Sequence, residues 1–97
     1  MTSVNIFSHA GEFAENKDTA QKIRLEILMP VLERGETVIL DFEKVTGATQ
    51  SFIHALISEL FRKFGSDILE KLNFKNCNET VQKIITIVCD YMQEAEN

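Results

Sequence analysis

Ninety-seven residues are enough for one domain with a modest core, burying roughly two-thirds of the surface that the unfolded chain exposes. A hydrophobic content of 44% beside 26% charged residues is that of an ordinary soluble globular chain and excludes wholesale disorder away from the ends. The net charge of −5, with ten Lys and Arg scattered along the chain, argues against a nucleic-acid partner, which needs clustered cations to neutralise phosphates.

The longest apolar clusters, 27–32 and 84–89, are far shorter than the ~20 residues of a bilayer span, so no membrane helix is expected. The N-terminus lacks the basic cluster, apolar stretch and cleavage pattern of an export signal, and a cytoplasmic location is expected. Cys77 and Cys89, with His9 and His54 scattered, assemble neither a disulfide framework nor a metal site; no metal and no cofactor are expected, and Cys89 reads as core-facing.

In chain order, Val4, Ile6 and Phe13 alternate with polar neighbours around Gly11, which predicts two short strands paired as a hairpin. Ala20, Ile23, Ile27, Leu28, Val31 and Leu32 recur at helical spacing, predicting a first helix over 19–34 with Asp18 as N-cap and Gly35 as its stop. Pro30 lies inside that pattern and cannot donate to the carbonyl of Glu26, so a kink or a tightened last turn is expected. Residues 37–42 form a β-branched and aliphatic run that reads as a central strand, ending at Asp41 and Phe42.

After a loop over 43–48, Ile53, Leu56, Ile57, Leu60, Phe61 and Phe64 mark a second helix stopped by Gly65. Residues 72–75 read as another strand, and either Asn76 or Asn78 caps a third helix carrying Val81, Ile84, Ile85, Val88 and Met92 on one stripe. The tail 93–97 is expected to fray. The sum is a single α/β domain over 1–97, ordered β-β-α-β-α-β-α: a small mixed sheet of about four strands with a parallel core, covered by helices chiefly on one face.

The chemistry suggested by single residues is sparse. Ser51 falls in the first turn of the second helix, where unpaired backbone N–H groups and the helix dipole favour a phosphate. The alternative is an ordinary first-turn serine, with Thr49 supplying the cap. Asp41, at the end of a strand, either lines a ligand crevice or binds loop N–H groups and shapes the turn; no second carboxylate or nucleophile–base pair is fixed near it. His54 and Ser58 are one helical turn apart, but no orienting acid or oxyanion hole is marked beside them. Gly47 alone lacks the spacing of a phosphate-binding loop. Phe52 is either a surface aromatic beside Ser51 or part of the core.

The run Asp41-Phe42-Glu43-Lys44-Val45 leading into Thr49-Gln50-Ser51-Phe52, with Gly11 and Phe13 before the first helix and Phe74 and Asn76 before the last, resembles the STAS domains of anti-sigma factor antagonists. It is more closely similar to a STAS-like bacterial family of unknown function, along nearly the whole chain. That resemblance implies a STAS-like fold and a non-catalytic regulatory domain working by protein–protein interaction in signalling.

In the antagonists a serine of this loop is phosphorylated by a partner kinase that is also an anti-sigma factor, and Ser51 stands at that position. Thr49, Gln50 and Phe52 depart from the antagonists' acidic residue, first serine and glycine. The implied partner is an ATP-binding, kinase-like anti-sigma factor. The implied contact surface is Val45, Thr46, Gly47, Thr49, Gln50 and Phe52, with Asp41 shaping the loop. A constitutive interaction or assembly module without phosphorylation is the alternative, and a small ligand-binding domain or enzyme a third.

Overall fold

The computed structural model describes residues 2–96, with side chains described for residues 2–94. Three strands, β1 (Thr2–Asn5), β3 (Val38–Asp41) and β5 (Leu72–Lys75), form one sheet in the order β1-β3-β5, and both pairings are parallel. Two further strands, β2 (Phe13–Ala14) and β4 (Gly47–Ala48), pair parallel in a separate two-stranded ladder. The expected parallel core is present. The expected hairpin and mixed pairing are not, because β1 and β2 lie in different sheets.

Between them the chain makes a short helix, α1 (Ile6–Ala10). Asn5 caps it, its Oδ1 accepting the Ser8 N–H at 2.9 Å while Ser8 Oγ donates to the Asn5 carbonyl at 2.8 Å. The apolar alternation of Val4 and Ile6 is too short to separate a strand from a strand that turns into a helix. Gly11 ends that helix, its N–H bonding the Phe7 carbonyl, where a hairpin turn was expected.

The helical run over 17–33 has three parts: α2 (Lys17–Ile23), a π-helical stretch (Arg24–Leu28) and α3 (Met29–Glu33). Its cap is Asn16 rather than Asp18. Asn16 Oδ1 accepts from the N–H groups of Asp18 and Thr19, which leaves Asp18 in the first turn, where its charge suits the dipole. Pro30 is accommodated by widening upstream, where the Met29 N–H reaches back five residues to Arg24, and the last turn is tightened as expected, with Arg34 N–H on the Val31 carbonyl at 3.2 Å and Gly35 N–H on the Leu32 carbonyl at 2.9 Å. A π turn displaces the carbonyls that a prolyl ring would otherwise strike.

The remaining helices are α4 (Gln50–Phe64) and α5 (Glu79–Glu96), with a short 3₁₀ turn (Ser66–Glu70) leading into β5. Gly65 ends α4 at φ +81°, a conformation strained for any side chain, and its N–H closes on the Phe61 carbonyl. Helix α5 runs through Glu96; of the tail expected to fray, Asn97 lies outside the described residues. Helix α4 is central, packing against α2 on one side and α5 on the other. It buries Phe52, Ile53, Leu56, Ile57, Leu60 and Phe61 completely.

Those side chains share one core cluster with Val4, Val38, Leu40 and Leu72 of the rows Thr2–Val38–Leu72 and Val4–Leu40–Phe74, with Phe74 packed against it, so these rows form the inner sheet face. On the opposite face, the rows Ser3–Ile39–Asn73 and Asn5–Asp41–Lys75 have no residue fully buried. No helix among the described residues is long and apolar enough to cross a membrane.

Cys89 is buried on α5 as expected, and burial, with the charge of Asp90 adding to it, pushes its thiol up to about 11. Since the thiolate is the reactive form, Cys89 in the native protein at pH 8 is expected to alkylate at least about a hundredfold more slowly than in the unfolded chain. Timed iodoacetamide labelling with peptide mass analysis measures this; equal rates in buffer and in urea would refute it.

Candidate functional site

The segment 41–52 is built by three ties. Asp41 Oδ1 accepts the Glu43 N–H at 3.0 Å and the Asn76 Nδ2 at 2.9 Å. The hydrogen bond from Asn76, and then that from Glu43, hold its carboxyl below the usual value. The carboxylate is thus engaged in loop geometry, joining the C-terminal ends of β3 and β5. Lys44 and Asn76 take left-handed backbone conformations, at φ 71° and 57°, in the two turns so joined.

The second tie is to the N-terminal segment. Thr46 N–H donates to the Glu12 carbonyl at 2.7 Å, its Oγ1 to the same oxygen at 3.1 Å, and Thr49 N–H to the Ala14 carbonyl at 2.9 Å. Gly47 lies opposite Phe13 in the ladder, where a Cβ would come within 2.9 Å of Phe13 Cε1. The glycine serves this close approach, not a phosphate cradle. The third tie is Asn78, whose Nδ2 donates to the Thr46 carbonyl at 2.9 Å while its Oδ1 accepts the Val81 N–H at 2.8 Å, capping α5.

These ties aim the start of α4. Thr49 is its N-cap, accepting the Phe52 N–H at 3.1 Å, and Ser51 is the second helical residue, exposed, with its Oγ 3.3 Å from Thr49 Oγ1. Of the surface expected to meet a partner, Thr46, Gln50 and Ser51 are exposed and Thr49 is half-buried. Val45, Gly47 and Phe52 are buried, and Phe52 has no exposed surface at all. The expectation that the Phe52 side chain faces a partner is therefore corrected: at the third helical position its ring points down into the core beneath the cap.

Ser51 sits on the wall of a groove of about 640 Å³ between α2 and α4, closed at one side by α5. Helix α2 contributes Lys17 and Gln21, and the π-helical stretch adds Arg24; α4 contributes Gln50, Ser51, His54, Ser58 and Arg62; α5 contributes Val88 and Tyr91. Arg24 Nη1 donates to the Ala55 carbonyl at 2.7 Å, pinning the guanidinium across the helix pair, while its buried Nε has no acceptor. Arg62 pairs with Glu59 on its own helix. The rings of His54 and Tyr91 meet at 6.4 Å, and no hydrogen bond joins the His54 and Ser58 side chains among the described residues. Neither Asp41 nor Thr49 lines this groove. Among the described residues no three His, Cys, Asp or Glu side chains gather as a metal site.

With this geometry in place, comparison with family models matches residues 19–82 to the STAS-like domain of unknown function, DUF4325. The chain belongs to that family. In this DUF4325 domain the matched stretch runs from α2 through the start of α5, and so contains Ser51, Arg24, His54 and Arg62 but not Lys17 or Tyr91. Comparison with curated proteins and with solved structures returns no match.

The groove was not foreseen from the sequence. Lys17, Gln21 and Arg24 at i, i+4 and i+7 share one face of a helix, as do Ser51, His54, Ser58 and Arg62. Those spacings were visible, but that the two faces oppose each other is a tertiary fact.

Proposed function

We propose that this DUF4325 domain is a non-catalytic, cytoplasmic regulatory domain that works by binding another protein through Thr46, Gln50, Ser51 and the groove beside them. The partner is an ATP-binding, kinase-like anti-sigma factor, and Ser51 is the phosphoacceptor that switches the contact. The observation that carries this reading is Ser51 itself: an exposed hydroxyl at the second position of a 15-residue helix, on a surface fixed by backbone ties. Transfer of the γ-phosphoryl group of ATP to Ser51 Oγ, with ADP leaving and the hydroxyl proton released, adds about −1.5 to −2 charges. The free N–H groups of the first turn accommodate that charge, and an acidic or apolar partner surface does not.

Incubation with the candidate partner and ATP, followed by phosphate mapping by mass spectrometry, is expected to place the phosphate on Ser51, and Ser51→Asp is expected to weaken partner binding at least about tenfold. No modification together with unchanged binding by Ser51→Asp removes the switch. A constitutive interaction module is the second reading, supported by the 3.3 Å approach of the Thr49 hydroxyl, which already engages Ser51 Oγ. Binding that survives Ser51→Asp but is lost in Gln50→Ala selects it.

A further inference from the structure

The groove between α2 and α4 carries charge that the rest of the molecule does not explain. Its walls hold three cationic side chains, Lys17, Arg24 and Arg62, against one carboxylate, Glu59, in a chain whose net charge is −5. Arg62 is paired with Glu59, whereas neither Lys17 nor Arg24 forms an ion pair among the described residues. Arg24 is the informative one. Its guanidinium is half-buried and pinned to a backbone carbonyl, and its buried Nε finds no acceptor. The buried Nε is out of reach of an outside group, but the partly desolvated guanidinium has no counter-ion, and an anion set against its groove-lining side offsets that cost.

We propose that this groove seats an acidic segment of the partner protein, its carboxylates meeting Lys17, Arg24 and Arg62, and that a phosphate on Ser51 competes for Arg24 at its own end of the groove. The second clause rests on the phosphoswitch reading above; the first stands without it. Charge complementarity selects an occupant bearing carboxylates, which meet the cations while its aliphatic stems pack on the apolar wall that includes Ala55, Val88 and Tyr91. Ser51 lines the same groove one helical turn before Ala55, whose carbonyl holds Arg24, so a phosphate there brings negative charge to that end of the groove. Arg62, eleven residues on and about 16 Å along the helix, lies beyond the screening length of about 8–10 Å. The switch then acts by occupying the site from within.

The probe is hexaglutamate, titrated into the ¹⁵N-labelled full chain at low salt, with hexalysine as control. Hexaglutamate is expected to move the amides of Gln21, Arg24, Ser51 and Ala55 together, with hexalysine leaving them in place. Lys17→Gln and Arg62→Gln, both at exposed positions, are expected to weaken hexaglutamate roughly three- to tenfold in combination, and Ser51→Asp about threefold. Each variant keeps the wild-type pattern of core amide peaks. Shifts scattered over the surface, or none at millimolar peptide, overturn the acidic occupant even if Ser51 is phosphorylated by a partner. Groove binding unaffected by Ser51→Asp overturns the competition alone, and a Ser51 that no kinase modifies leaves the docking result to be judged on the titration.

Discussion

Phe52→Ala is expected to destabilise the domain by about 3–5 kcal/mol, the usual cost of removing a buried aromatic ring. The ring has no exposed surface and shares the core with Phe42 and Phe61. A domain of this size is typically stable by about 5–15 kcal/mol, so the variant retains a small margin at best. Equilibrium urea unfolding measures the effect as a fall in midpoint at unchanged slope. Gln50→Ala, two residues earlier and exposed, is expected to stay within about 0.5 kcal/mol of wild type. A Phe52→Ala midpoint matching that of Gln50→Ala would place the ring outside the core. A charge at position 52 therefore reports on folding rather than on an interface, and partner-binding tests belong at Gln50, Ser51 and Thr46.

The burial of Phe52 shows where sequence reading succeeds in this family and where it stops. Helix α4 was legible because six apolar positions from Ile53 to Phe64 keep a 3.6-residue period before Gly65, β3 because a short apolar run precedes Asp41, and β5 because Leu72 and Phe74 alternate with polar Asn73 and Lys75. Phe52 stands one residue before the recurring pattern, where period alone cannot say whether a ring points inward. Capping settles it. Once Thr49 accepts the Phe52 N–H, position 52 is the third residue of the helix and is buried in the core, as Ile53 and Leu56 are.

The β2–β4 ladder was illegible for a different reason. Two residues cannot display a period of two, and the pairing joins positions more than thirty residues apart through Thr46, Gly47 and Thr49. The same holds for Asn76 and Asn78. Either could cap α5 on sequence grounds, and the structure divides the labour: Asn78 caps the helix, while Asn76 takes a left-handed conformation and holds Asp41.

That division makes Asn78 the second position of large expected effect. Its Oδ1 satisfies the Val81 N–H, and its Nδ2 donates to the Thr46 carbonyl across a gap of thirty-two residues. Losing a cap costs about 0.5–2 kcal/mol and losing a loop hydrogen bond about 0.5–1.5, so Asn78→Ala is expected to cost about 1–3.5 kcal/mol. Asn78→Ser separates the two roles, since its hydroxyl can cap α5 but is too short to reach Thr46. It is expected to cost less than about 1.5 kcal/mol.

Amide hydrogen exchange gives the sharper measurement. Both variants are expected to speed exchange in the loop at Thr46 and Gly47, whereas only Asn78→Ala speeds it at Val81 and Gln82. If Asn78→Ser leaves loop exchange at its wild-type rate, the side chain is a cap and nothing more. If the loop loosens, α5 helps to fix the segment that aims Ser51, because the residue that starts that helix also holds the carbonyl three residues before Thr49. A partner that displaced the first turn of α5 would then disturb the Ser51 surface without touching it.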